Sequence, residues 1–533
     1  DSKSNEETTY GTKEPITFSV LYCDSGLGSA DDKFQSPVSK KITELTGVTL
    51  SKEYVVGDPK QKLALLASSG EYPDMIYTME FSNVIMDAGG FIPLDKMIEE
   101  KGVNTKEVYG DYINRLRWSS EDPFIYMMGN NTVNEELLQP EFGFQLQMTA
   151  LKELGYPKME TLQDYENVIK TYKEKYPTID GKPTIGLSLL ADDWRIKIST
   201  TNPAAYSTGK PDDGEWYYDI KEDKAVLHLT TKEEKEYFRW LNHINDIGLL
   251  DPESFIQKFD QYEAKIADGR VIGLIDSKWE YGTAEQTLVA AGKPERTYTM
   301  LPLVMDNKTQ KYAAFRPLSF SGGYGIGITT SCKDPQRAFE YLDWCSSKES
   351  QLLRNWGIEG VHYDVVDGKR TFKPDVFKKW CSDPNFSKET GIGVNGYPWP
   401  GYGLCAKAEN DDYWHPMSEE IVRQAYTKPE IETLDAYGAK LWKDLYPTKD
   451  NFQANPYGEL WKITLPGDSE GNLILRKYDE LTARTIPEAI MAKPQDFDKV
   501  WEKYQADLVD IGIDKLTQEF NGIMQKQKKL WKK

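Results

Sequence analysis

Trp194-Arg195, Trp279-Glu280-Tyr281 and the loop Tyr397-Pro398-Trp399-Pro400-Gly401-Tyr402 set aromatic rings beside groups able to form hydrogen bonds. Such a pairing suits a partner with an apolar face and a polar rim: the ring covers the face while neighbouring donors and acceptors take the rim. A sugar has that character, with axial C–H faces and a hydroxyl edge. Composition is tilted the same way, with 14 Trp and 32 Tyr in a chain only 39% hydrophobic. Most individual rings are still expected in the core. The proline-flanked loop holds three rings in so short a stretch that all three cannot be core, which puts Trp399 and Tyr402 at a binding surface. Arg195 and Arg316 stand near expected strand ends, where a guanidinium can grip vicinal hydroxyls or a uronate carboxylate through paired donors. A salt bridge to one of the many acids is the competing expectation for both.

Other chemistry is poorly supported. Gly391-Ile392-Gly393-Val394-Asn395-Gly396 has GxGxxG spacing, but a polar segment precedes it and a proline-rich loop follows, where a dinucleotide site needs strand and helix. There is no GxxxxGK[ST], HExxH or GxSxG, and His228, His243, His362 and His415 are scattered. Adjacent acids such as Asp192-Asp193 and Glu419-Glu420 diverge on a helix or strand. Glycoside cleavage needs two carboxyls facing one bond across about 5 to 9.5 Å. The five cysteines form no CxxC and are odd in number, so no disulfide framework or zinc site is readable. The chain is therefore read as a non-enzyme without cofactor or metal. A net charge of −20 argues against nucleic acid or an anionic membrane surface as partner. No apolar run reaches the ~18 residues that span a bilayer.

The elements that must position these groups start with a strand at Ile16 to Tyr22, leading into the loop Cys23-Asp24-Ser25-Gly26. A second strand runs from Val48 to Val56. Asp58 then caps a helix with Pro59 in its first turn, Gly70 ends it, and a short apolar strand follows from Met75 to Thr78. Strand, helix, strand in about thirty residues is a βαβ unit and calls for a parallel sheet. Ligands bind outside the carboxyl ends of such strands, which places Asp24, Glu80 and Phe81 at a candidate binding edge. Farther on, Leu146, Leu151 and Leu154 mark one helical face, Gly155 ends that helix, and Thr161 caps the next. At 533 residues the chain is too long for one core, and two lobes is the natural expectation.

Several of these stretches resemble the extracellular solute-binding proteins that feed ABC importers, specifically the large sugar-binding lipoproteins of Gram-positive bacteria. The family's TGV-helix-ASGxxPD pattern appears as Thr46-Gly47-Val48 and Ala67-Ser68-Ser69-Gly70-Glu71-Tyr72-Pro73-Asp74, with one inserted Ser. Pro123 to Asn131 is similar to a strand that crosses toward the second lobe, with Tyr126 at the family's tyrosine position. Ala264 to Gly282 resembles its helix, Gly turn, buried strand and exposed Trp. Arg296 to Val304 resembles a segment that re-enters the first lobe through a Pro-Leu motif. Trp356 to Gly368 matches GxEGxxYxxxDG after a PxxAxxxLxW helix.

The resemblance implies an α/β, two-lobed clamp with discontinuous lobes and a ligand cleft between them. The lobes are expected at 16–140 with 291–345, and at 141–290 with 346–533; residues 1–15 form a disordered tether. Trp279 would floor the cleft near the hinge, beside Glu280. Many large relatives hold calcium near Lys175 to Leu189, but Tyr176 to Pro183 offers one carboxylate and a lysine, too little for the six to eight oxygens calcium takes. The chain's bulk and ring count favour an oligosaccharide as ligand, with a xylo-oligosaccharide or a fragment bearing a uronic acid as first candidates, and the resemblance implies membrane permease subunits as partners. The protein is expected to be a monomer outside the cell, anchored through a lipidated cysteine ahead of residue 1. A secreted glycan-cleaving enzyme and a peptide-binding or signalling receptor of the same fold are the rival readings.

Overall fold

The computed structural model describes residues 13–24, 31, 33–131, 138–140, 142–311, 324–448 and 455–532. Arg316 and the Ser25-Gly26 end of the loop Cys23-Asp24-Ser25-Gly26 lie outside the described residues, as do residues 1–12. The strands of the two central sheets are β1 (Ile16–Tyr22), β2 (Val48–Tyr54), β3 (Met75–Tyr77), β4 (Met127–Met128), β5 (Phe142–Leu146), β6 (Ile185–Ser188), β7 (Val271–Ser277) and β8 (Ile326–Ile328).

In the first lobe the strand order is β2-β1-β3-β8-β4. β2 and β3 both run parallel to β1, which lies between them, while β8 is antiparallel to β3 and to β4. Alternation along β1 sends Phe18, Val20 and Tyr22 into one core and Leu21, with Cys23 beyond it, into the other. The caps are those the sequence predicts. Asp58 accepts from the Lys60 N–H, Pro59 opens the helix Pro59–Ser69, and Gly70 ends it at φ 70. Leu146 departs from expectation. It closes β5, and the helix Met148–Glu153 starts two residues later, because the Phe142–Leu146 run pairs with β7.

The second lobe is built on the sheet β5-β7-β6. All seven residues of β7 are buried, with one core on each side of the sheet. Two segments sit in the opposite lobe from the one expected. Residues 291–304 do not re-enter the first lobe: Gln147 bridges to Tyr298 and Phe144 to Leu301, and Leu301 and Leu303 are buried in the second lobe's core. The first part of 346–533 joins the first lobe instead, where Trp356, Tyr363, Phe372, Phe386 and Trp399 pack with Tyr22 and Tyr77. In both cases strand pairing and apolar packing decide the lobe, and the Pro302-Leu303 motif carries no information about either.

Where the chain leaves the first lobe, Gly129 and Gly325 lie backbone to backbone. A Cβ on Gly129 would come within 2.4 Å of the Tyr324 carbonyl oxygen, and one on Gly325 within 2.5 Å of the Met128 carbonyl carbon. The glycines permit this approach. Just beyond, Asn130–Asn131 pairs in parallel with Gly401–Tyr402. The lobes also meet where the Asn83 amide donates to the Leu465 carbonyl at 3.3 Å. A third contact is made by the C-terminal helix Ile513–Trp531, whose Lys526 pairs with Glu121 at 2.7 Å. Among the described residues no helix is long and apolar enough to cross a membrane.

Candidate functional site

Strand ends of the first lobe supply one wall of the cleft. Asp24 follows β1, and Glu80 follows β3 on the 3-10 turn Met79–Phe81. The Tyr324 hydroxyl donates to Glu80 Oε2 at 3.5 Å. Tyr77 and Tyr397 join hydroxyls at 2.7 Å, with Tyr397 left 40% exposed at the surface. The charge of Asp24 reaches Glu80, Tyr397 and, in the other lobe, Arg195.

The facing wall grows from an irregular helical segment. A π-helical turn, Lys197–Thr201, follows Trp194 and Arg195, and such bulges recur at functional sites because they re-aim side chains. Lys197 Nζ lies 3.2 Å from Glu215 and 3.5 Å from Asp479. Burial pulls its pKa down, but Asp479, Glu215 and Glu80 of the first lobe hold it above the usual lysine range. Glu80 is pushed up by burial against the pull of Lys197, and Glu215 is pushed up by burial and by Asp479. Trp461 closes the wall: its ring meets Tyr324 of the first lobe edge-on, centroids 4.7 Å apart.

Beside this cluster the Trp194 and Trp279 rings lie nearly parallel, 6.0 Å apart. Trp279 is 56% exposed in the first turn of the helix Lys278–Ala290. Arg195 lies beneath. Its Nε donates to both oxygens of Glu280, at 3.0 and 3.2 Å, and its Nη1 to Asp193 at 2.6 Å. The guanidinium also sits 4.8 Å from the Trp194 ring centroid. Burial and the nearby Asp276 push Glu280 up to about 8, against Arg195. Burial lifts Asp276 to about 7, against hydrogen bonds from Tyr262 and the Ser277 N–H and the charge of Arg195.

Among the residues expected at a binding site, Asp24, Glu80, Trp194, Arg195, Trp279 and Glu280 come together here. For Arg195 the salt bridge is made: the side chain is buried, Glu280 takes its Nε–H and Asp193 an Nη1 N–H. Phe81 and Tyr126 pack elsewhere, with the small core around Leu21 and Ile76, and the Tyr126 hydroxyl donates to Asp122. Tyr402 stacks on Trp414 at 5.5 Å near the lobe crossing.

Trp399 is a correction. It is 1% exposed and donates its indole N–H to the Tyr22 hydroxyl at 3.0 Å, which makes it core rather than a sugar platform. The ring of that loop at the surface is Tyr397. At Tyr176 to Pro183 the chain forms a small hairpin, where Asp180 pairs with Lys293 at 2.9 Å and Lys182 with Asp268 at 2.8 Å.

Sequence reasoning missed Tyr77, Tyr324, Tyr397, Lys197, Glu215, Trp461 and Asp479. Lys197 could have been found, since it lies two residues past Arg195 between Ile196 and Ile198. Tyr324 stands two residues ahead of β8, beside Gly325. Glu215, Trp461 and Asp479 carry no local signal.

The sequence profile described as bacterial extracellular solute-binding protein matches residues 38–357, more than half of the chain. Lipoprotein LipO of Bacillus subtilis (strain 168) is 23% identical over 366 residues, which cover 64% of this chain and 66% of LipO. FusA of Streptococcus pneumoniae serotype 4, a fructooligosaccharide ABC transporter substrate-binding protein, is 22% identical over 377 residues, covering 67% of this chain and 65% of FusA. The matched stretch thus spans just under two-thirds of either relative's length. Among solved structures, alginate-binding protein AlgQ2 without calcium ion superposes with a TM-score of 0.66 at 19% identity, over 98% of this chain and 100% of that one. FusA in complex with kestose gives 0.65 at 18% identity, over 97% and 99%. Both share the two-lobed fold described above. The chain belongs to the bacterial extracellular solute-binding proteins.

Proposed function

We propose that this protein is the extracellular substrate-binding component of a carbohydrate ABC importer, and that it holds an oligosaccharide between its lobes. The observation that carries this reading is the exposed Trp279 ring, backed by Trp194, beside a cluster of carboxylates, tyrosines and a lysine drawn from both lobes. Rings of this kind stack on sugar C–H faces, while carboxylates and tyrosine hydroxyls take the hydroxyl edge. A ligand touching both walls favours the closed arrangement by its extra affinity for it. The closed clamp is then the form a membrane permease recognises. FusA is named for fructooligosaccharide and AlgQ2 for alginate, which supports a saccharide longer than one unit. Xylo-oligosaccharides are the first candidates. We read it as a monomer held outside the cell by a lipid anchor; a lipoprotein relative supports the anchor.

The test is intrinsic tryptophan fluorescence and calorimetry of the purified protein against a panel of oligosaccharides, with product analysis alongside. Saturable one-to-one binding without cleavage is expected. Cleavage products would replace this reading with an enzyme, and silence across a broad panel would remove the carbohydrate assignment.

A further inference from the structure

Two open rings stand at the cleft besides Trp279: Tyr397, 40% exposed, and Trp461, 37% exposed. Tyr397 belongs to the first lobe. Its hydroxyl meets that of Tyr77 at 2.7 Å, and the two rings meet edge-on with centroids 5.8 Å apart. Trp461 belongs to the second lobe and reaches the same place through Tyr324, whose hydroxyl donates to Glu80. We propose that Tyr397 is a second stacking platform, so that the ligand lays one saccharide unit on Trp279 of the second lobe and another on Tyr397 of the first; this rests on the carbohydrate reading above.

Tyr397 is the ring with a face to offer. Trp461 already carries the Lys462 ammonium 5.1 Å from its centroid, with Tyr324 against it as well. Tyr397 meets one ring among the described residues, Tyr77, and an edge-on contact covers one face at most. Its position is concave. Burial pushes the Tyr397 hydroxyl up, against its hydrogen bond with Tyr77, and the charges of Asp24, Glu459 and Glu80 add to the rise. Glu459 adjoins Leu460 in the second lobe's core. An open ring crowded from both lobes lies inside the cleft and not on the outer surface. Around it the hydroxyls of Tyr77 and Tyr324 and the Glu80 carboxyl supply a polar rim, the same pairing of ring and rim that Trp279 presents. Phenol and sugar hydroxyls each donate and accept, so this rim suits a saccharide whether or not Glu80 holds its proton. A ligand long enough to cover rings on both lobes gains more from closure than one that covers a single ring.

The experiment titrates the full chain by calorimetry with length series of xylo-oligosaccharides, fructo-oligosaccharides and alginate oligomers, from the disaccharide upward. In the series that binds, the loss of affinity on Tyr397→Ala should grow with length, from at most about twofold for the disaccharide to about tenfold or more for the longest members. Tyr397→Phe keeps the ring and should stay close to wild type at every length. Because Tyr397 is exposed, little core is lost in either variant, and thermal unfolding of both should match wild type within a few degrees. A loss on Tyr397→Ala that does not change with length, or no loss at any length, would overturn the second platform and leave the carbohydrate reading standing. If no member of the three series binds the wild type, the carbohydrate reading fails and this inference with it.

Discussion

The indole of Trp279 lies 16° from parallel with that of Trp194, ring centroids 6.0 Å apart, and only the first is open to solvent over more than half its surface. Beneath Trp194 sits the guanidinium of Arg195, 4.8 Å from the ring centroid, and behind Arg195 the buried carboxylate of Glu280. Glu280 is the next residue after Trp279 in the same helical turn. The ladder therefore closes on itself: the buried hydrogen bonds from Arg195 to Glu280 tie the stretch ahead of the π-helical turn to the helix that presents the exposed ring. Trp279 is held in place from behind, which leaves its open face for a ligand.

Trp279→Ala should weaken oligosaccharide binding by about tenfold or more, the scale of one lost stacking partner. Its exposure means little core is lost, so the melting temperature should stay within a few degrees of wild type. Calorimetry and thermal unfolding on the same preparation check both. Unchanged affinity would show that the ring has no ligand role.

How far this site was legible from sequence depends on whether its residues are fixed locally. The strand-to-turn placement of Asp24 and Glu80 follows from short-range patterning and caps, and the buried β7 leading to an exposed Trp279 follows the family resemblance; the structure has both placements. Trp399 misled because proline-flanked loops usually lie at the surface. This one folds back so that the indole reaches Tyr22 and packs edge-on against Tyr341, contacts no local pattern announces. Glu215 and Asp479 come to Lys197 only through tertiary packing, and Trp461 reaches Tyr324 only when the lobes meet. The lobe boundaries failed for the same reason: Leu303 and Trp356 are apolar wherever they go, and only the core they enter assigns the lobe.

Trp399→Ala should act on stability and not on binding. Removing a fully buried indole typically costs about 3–5 kcal/mol. Trp399→Phe keeps most of the ring and removes the N–H to Tyr22, for a cost of about 1–3 kcal/mol. Urea denaturation gives both values. Affinity of the folded Phe variant for its sugar should match wild type, and a large loss there would return Trp399 to the binding surface.

Glu280 and Asp276 make stability depend on pH in a definite direction. Their folded pKa values, about 8 and about 7, lie above their ordinary values of 4.5 and 3.8. The folded state therefore binds more protons than the unfolded one between those limits. The resulting stabilisation is complete below about pH 4 and is lost as pH rises through 7 and 8, at no more than about 1.4 kcal/mol per pH unit for each proton held. The urea midpoint of the wild type should fall from about pH 5 to about pH 9, and that of Glu280→Gln should fall less steeply. Parallel curves would mean that Glu280 is ionised across the range.

The contact of Trp461 with Tyr324 reports on lobe closure, because the two rings come from different lobes and meet edge-on at 4.7 Å. An edge-to-face pair contributes about 0.5–1.5 kcal/mol beyond its burial, a coupling a double-mutant cycle can isolate. Trp461→Ala and Tyr324→Leu should each weaken sugar binding, since each removes part of what the closed clamp gains. Together they should weaken it by less than the sum of the two, by an amount in that range. Small-angle scattering of Trp461→Ala without ligand should show a larger radius of gyration than wild type, because the open form then competes better. Additive losses with no change in scattering would place both rings outside the closure equilibrium.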